Sequence, residues 1–144
     1  MSRYGTFRTS LAKNLEASEH DIQSTFIRAL EATGRREVAV GFAIPNAAKR
    51  SFRLMASLRA EGFRTGMPDW CLPVARGGYN NLWIEFKRPK QKPTPAQVLM
   101  HDLLKENGGK VVVMTDALAA VECVLDYLNT PPDPTHDRHR HAVA

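Results

Sequence analysis

The chain has 144 residues, of which 43% are hydrophobic and 24% charged, with a formal net charge of +5, so length and balance are those of one ordinary globular domain. No apolar run is long enough to span a membrane, and the opening MSRYGTFRTSLAKN lacks the apolar core of a secretion signal, which argues for a cytoplasmic protein. Between Arg35 and Arg64 seven basic residues face two acids, an excess equal to the net charge of the whole chain and compatible with a polyanionic partner.

Residues 1–14 are polar and basic without periodicity and are expected to form a flexible arm. Ser18-Glu19-His20-Asp21 then has the form of a capping box, with Ser18 as N-cap and Asp21 at N3. Ile22, Phe26 and Leu30 follow at helical spacing, and Gly34 ends the helix. Gln23 either supports a site at this helix start or is solvated, and solvation is the simpler reading. From Glu37 to Ile44 the alternation of Val38, Val40, Phe42 and Ile44 predicts a strand with one buried face. Pro45 to Arg50 interrupts it, and the next helix runs from about Ser51 to Ala60, burying Leu54, Met55 and Leu58. Arg50 and Arg53, three apart, share one side of that helix.

Gly66-Met67-Pro68-Asp69 reads as a tight turn feeding a short strand from Trp70 to Val74, and Gly77-Gly78 turns the chain back. Asn81 to Lys87 is rich in aromatic and branched residues and reads as a second strand. Alternation puts Leu82, Ile84 and Phe86 on one face and Trp83, Glu85 and Lys87 on the other. If the two strands form a hairpin, Asp69 approaches Glu85. A basic, proline-stiffened loop follows, Arg88-Pro89-Lys90-Gln91-Lys92-Pro93, before a helix with Thr94 as N-cap, Pro95 at N1 and Gln97 at N3. His101, one turn after Gln97 on the same side, either approaches a scissile phosphate or is a partly exposed histidine at a helix edge, and the second is the simpler reading. Gly108-Gly109 closes that helix and Lys110 to Thr115 is a buried strand. Asp116 caps a last helix with Leu118, Val121, Leu125 and Leu128 inward, and Pro131-Pro132 stops it. The tail, residues 131–144, is polar, proline-rich and expected to be disordered, leaving residues 15–130 as the folded domain. Cys71 and Cys123 sit in apolar contexts with no C-x-x-C pair, and read as reduced core residues. The order of elements is that of an α/β domain, a mixed central β-sheet flanked by helices.

The chemistry gathers in the hairpin. Two carboxylates converging on one point make a hard oxygen site suited to Mg²⁺ or Mn²⁺, which can hold a phosphate oxygen and acidify a bound water. Lys87, beside them, can align a water or offset charge developing on phosphate. A Glu-Phe-Lys triplet alone is usually a surface ion pair. The preceding Gly66-x-Pro68-Asp69 and the following Thr94-Pro95-Ala96-Gln97 reverse that reading.

Gly66-x-Pro68-Asp69, Glu85-Phe86-Lys87 and Gln97 together resemble the PD-(D/E)xK nuclease superfamily and, more narrowly, the VRR-NUC family, over roughly Ser18 to Leu128. The resemblance implies a restriction-endonuclease-like core and metal-dependent hydrolysis of DNA phosphodiester bonds, leaving 5′-phosphate and 3′-hydroxyl ends. It implies Asp69, Glu85 and the Phe86 carbonyl as ligands of Mg²⁺ or Mn²⁺, Lys87 as the residue that aligns water, and Glu19, acting directly or through water, as a further acid. Glu19 otherwise only complements its helix N-terminus. Gln97 faces the site in the family. Its other reading is the helix cap, and the two roles are expected to exclude each other. Asn46, Lys49, Arg50 and Arg53 resemble a phosphate-contacting edge, with Arg88, Lys90 and Lys92 touching phosphate on the way out. Stand-alone members resemble homodimeric, structure-specific endonucleases of branched DNA such as Holliday junctions, including bacteriophage proteins, for which the compartment is the host cytoplasm. A nuclease with another target, such as a flap or restriction-like enzyme, and a non-catalytic DNA-binding protein on the same fold are the alternative readings.

Overall fold

A computed structural model of the chain describes residues 17–45 and 51–134. The expectations placed on residues 1–14, on Asn46, Lys49 and Arg50, and on residues 135–144 of the tail lie outside them. The order of elements is α1 (Glu19–Ala32), a 3₁₀ turn (Arg36–Val40), β1 (Phe42–Ala43), α2 (Phe52–Ala60), β2 (Trp70–Leu72), β3 (Asn81–Phe86), α3 (Pro95–Glu106), β4 (Gly109–Met114) and α4 (Ala117–Asn129). The four strands form one mixed sheet in the order β1-β2-β3-β4, antiparallel except for the β3–β4 pair. The α/β architecture expected from the sequence is therefore present.

Helix α1 starts where its capping box places it: Asp21 N–H donates to Ser18 Oγ, and Ser18 N–H donates to the Asp21 carboxylate. Its Ile22, Phe26 and Leu30 enter a core shared with Trp70 and Leu72 of β2, Leu82, Ile84 and Phe86 of β3, and Ala120, Val121, Val124, Tyr127 and Leu128 of α4. Phe26 is its hinge point, edge-on to Trp70 and tilted against Phe86, both with ring centroids 5.1 Å away. Each such side chain contributes about 1.5–3 kcal/mol by leaving water, so α1 and α4 are clamped onto one face of the sheet. Helix α3 lies on the other side, where its first two turns reach Glu85.

Four local expectations are corrected. Residues 37–44 do not form a continuous strand: Arg36–Val40 is a 3₁₀ turn and only Phe42–Ala43 joins the sheet, with Val40 and Phe42 about half exposed. Two contacts explain this. Glu37 is held by Arg35 and Arg76, and the Trp70 indole lies against Gly41 so closely that a Cβ there would sit 2.3 Å from the ring. Helix α2 buries no residue: Met55 and Leu58 are half-buried and Leu54 is exposed, as is Phe52. Strand β4 is only half-buried, because it lies at the edge of the sheet. In α4 the inward stripe runs through Ala120, Val121, Val124, Tyr127 and Leu128, which leaves Leu118 exposed one turn before it and Leu125 partly buried beside it.

Both cysteines are free thiols, Cys71 buried and Cys123 half-buried. No helix among the described residues is long and apolar enough to cross a membrane.

Candidate active site

The hairpin sets the geometry. β2 and β3 pair with Trp70 opposite Ile84, and Asp69, immediately before β2, lies beside the end of β3. Asp69 N–H donates to the Ile84 carbonyl at 3.0 Å, and Phe86 N–H donates to Asp69 Oδ2 at 2.7 Å, so the Asp69 carboxylate is pinned to the end of β3 by backbone. The loop before Asp69 rests on the start of α3. Gly66 has φ +83°, and a Cβ there would lie 2.6 Å from the Ala96 carbonyl oxygen, so the backbones approach too closely for any other residue.

Glu85 and Lys87 point the same way, as alternation requires, and both are buried, 1% and 7% exposed. Lys87 Nζ lies 2.9 Å from Glu85 Oε1 and 3.5 Å from Glu19 Oε1, so the first turn of α1 joins the site through the ammonium. Gln97 closes it from α3. Its Oε1 accepts from Thr94 N–H at 2.9 Å, completing the capping box, and its Nε2 donates to Glu85 Oε1 at 2.7 Å. The expectation that cap and site exclude each other is therefore corrected. An amide has an acceptor end and a donor end, and Gln97 turns one to each.

Two further residues, for which solvent is the simpler reading of the sequence, join the site. Gln23 is half-buried, and its Nε2 donates to the Asp69 carbonyl at 3.4 Å. His101 is 5% exposed, not at a helix edge, and its Nε2 lies 3.4 Å from Glu85 Oε2. That approach misses hydrogen-bond geometry, so Glu85 Oε2 and His101 Nε2 are both buried without a hydrogen-bond partner. The i, i+4 spacing of Gln97 and His101 was the legible signal, since two residues one turn apart face the same neighbour.

Burial dominates the electrostatics. It pushes the Asp69 carboxyl up to about 6, the charge of Glu85 adding to the shift and the Phe86 N–H opposing it. Glu85 is also raised by burial, against the pull of Lys87. For Lys87 burial acts against the ammonium, yet the hydrogen bond and charge of Glu85 outweigh it and the pKa rises. The partners of one 2.9 Å contact thus respond unequally, because Glu85 loses more hydration than its lysine replaces. Burial lowers the pKa of His101, with Lys105 adding to the shift, so the ring is neutral near pH 7.

The result is an anionic pair only partly neutralised. Among the described residues no group of three or more His, Cys, Asp or Glu side chains is gathered closely enough to hold a metal ion. What converges is Asp69, Glu85 and Lys87, with Glu19 linked through Lys87. The ligand atoms on offer are oxygens, those of the Asp69 carboxylate, one of which already accepts from Phe86 N–H, and Glu85 Oε2, chemistry that suits a hard cation. A pocket of about 60 Å³ opens beside Asp69, lined by Ile44, Pro45, Phe63, Arg64, Thr65, Gly66 and Met67. Arg53, Arg88, Lys90 and Lys92 are all exposed, and Lys90 adopts φ +70°.

Comparison with known proteins bears on the fold and the family. A solved structure of a VRR_NUC domain protein superposes with a TM-score of 0.69 at 22% identity, covering 81% of this chain and 92% of that one. Among curated proteins no sequence matches the chain. The family model for the VRR-NUC domain matches residues 6–117, a stretch that includes Asp69, Glu85, Lys87 and Gln97. On that match the chain belongs to the VRR-NUC domain family, and is a nuclease.

Proposed function

We propose that the protein is a metal-dependent deoxyribonuclease that hydrolyses phosphodiester bonds in branched DNA. The observation that carries this reading is the carboxylate pair of Asp69, half-buried, and Glu85, buried, that one lysine leaves under-neutralised, with Glu85 Oε2 lacking any hydrogen-bond donor. An anionic site of this kind calls for a cation, and its oxygen donors fit Mg²⁺ or Mn²⁺. Asp69, Glu85 and the Phe86 carbonyl would hold it, with Glu19 contributing directly or through water. A divalent cation bound there supplies Lewis acidity to a phosphate oxygen and lowers the pKa of a coordinated water.

The chain's own groups do the rest. Lys87 aligns the attacking water and stabilises charge developing on the phosphate oxygens, an effect strengthened because the ammonium is withdrawn from bulk solvent. Gln97 holds Glu85 in orientation from a helix start that its own cap makes rigid. Gln23 steadies the Asp69 backbone. Arg53, Arg88, Lys90 and Lys92, together with Asn46, Lys49 and Arg50, bind the DNA backbone and give affinity without sequence preference. The protein acts in the cytoplasm, as a homodimer, since two-fold pairing suits a four-way junction whose strands are cut symmetrically.

Incubating labelled four-way junctions, flaps and linear duplex with the protein and Mn²⁺ tests this. The reading expects cleavage of the junction above the duplex, abolished by EDTA and by Asp69→Ala. Cleavage that survives Asp69→Ala undiminished would contradict it, and equal cutting of all three substrates would contradict the branched-DNA assignment alone.

A further inference from the structure

Glu85 Oε1 accepts from two donors, Lys87 Nζ at 2.9 Å and Gln97 Nε2 at 2.7 Å, and a carboxylate oxygen has two lone pairs. Oε1 is therefore saturated, and any cation must be met by Oε2. That oxygen makes no hydrogen bond, and the polar atom facing it is His101 Nε2, itself buried and unpartnered, 3.4 Å away. An N–H···O bond ordinarily spans 2.7–3.2 Å, so a small rotation of the ring closes the gap. If Nε2 lacked a proton, two acceptors would confront each other in a buried space. The Nε2–H tautomer is the one the carboxylate selects.

We propose that His101 is a positioning residue for Glu85: Nε2–H donates to Oε2, takes one of its lone pairs, and so fixes the direction in which the other is offered to the cation. The proposal rests on the cation-holding role given to Glu85 above. Gln97 and His101 then form two arms from successive turns of α3, one on each carboxylate oxygen. Carboxylates that ligate metal ions are commonly held this way by hydrogen bonds from outside the ligand set, and loss of such a partner weakens metal affinity about 10–100-fold.

Calorimetric Mn²⁺ titration of the wild type, His101→Leu and His101→Gln, with melting curves and steady-state cleavage of one junction substrate, tests it. The proposal expects His101→Leu to bind Mn²⁺ about 10–100-fold more weakly and to lower kcat while KM for DNA stays unchanged. Glutamine, whose Nε2 also donates, restores most of the affinity. Should the leucine variant fail to fold, the glutamine variant decides: affinity near that of the wild type supports the role, and its loss overturns it. Mn²⁺ uptake by His101→Leu equal to that of the wild type overturns this proposal alone, whereas a wild type that takes up no Mn²⁺ overturns the cation role of Glu85 as well. A nitrogen hyperfine coupling from His101 to bound Mn²⁺ would make the histidine a direct ligand and also overturn the positioning role.

Discussion

Residues next to each other along β3 enter two environments that water hardly reaches. Leu82, Ile84 and Phe86 are fully buried against α1 and α4, while Glu85 and Lys87, 1% and 7% exposed, lie against α3 and the start of α1. The apolar face is stabilising at every position, because each side chain leaves water and meets close-packed neighbours. The other face holds charge in a dry place, which is unfavourable unless partners compensate, and here they compensate incompletely. One strand thus carries both the clamp that holds the domain together and the polar cluster that the clamp keeps in register. Stability on one face underwrites the strain on the other.

The sharpest way to break that comparison is to remove an acid. Asp69→Ala or Glu85→Ala should lower the rate of DNA cleavage by about a thousandfold or more, several kcal/mol of barrier, in single-turnover assays. The opposite face should answer in stability instead. Ile84→Ala should lower the free energy of unfolding in urea by about 2–5 kcal/mol, with the surviving folded fraction still cutting DNA.

A third experiment separates the faces by pH. The Asp69 carboxyl titrates near 6 in the fold against an ordinary value of 3.8, so the folded state binds its proton more tightly than the unfolded one. Ionising it is therefore unfavourable to folding: the penalty is absent below about pH 4, grows through pH 4–6, and is complete above 6. Asp69→Asn, which keeps an acceptor for the Phe86 N–H, should melt a few degrees higher than the wild type in EDTA at pH 8. The gap should close as pH falls towards 4. The smallest effect concerns the α3 start: Thr94→Ala should cost about 1 kcal/mol of stability through the lost cap, visible in thermal melts.

Much of this was legible because the signals were local. The capping boxes at Ser18 and Thr94 mark helix starts by short-range hydrogen bonds that tertiary structure did not change. The strand period of two put Glu85 and Lys87 on one side, and the glycine turn at Gly77-Gly78 made a hairpin that carried Asp69 to them. What escaped depended on distant partners. Val38 and Val40 alternate as a strand should, but the ladder stops where the Trp70 indole fills the space beside Gly41, a contact some thirty residues away in the chain. His101 has the spacing of a residue facing Glu85, yet its burial follows from how α3 settles on the sheet. Helical periodicity turns Leu54 and Leu118 inward, but it gives a face and not whether anything covers it, and both are exposed. For Gln97 the cap and the site are both legible, and what the sequence hides is that one amide, having two ends, serves both.

The central claim, that Asp69 and Glu85 share a divalent cation, is tested most directly by an anomalous difference map from a crystal soaked in Mn²⁺. The account predicts one strong peak within bonding distance of the Asp69 carboxylate and Glu85 Oε2, lost in Asp69→Asn. A map with no peak between those two side chains, or with peaks only elsewhere, would contradict it.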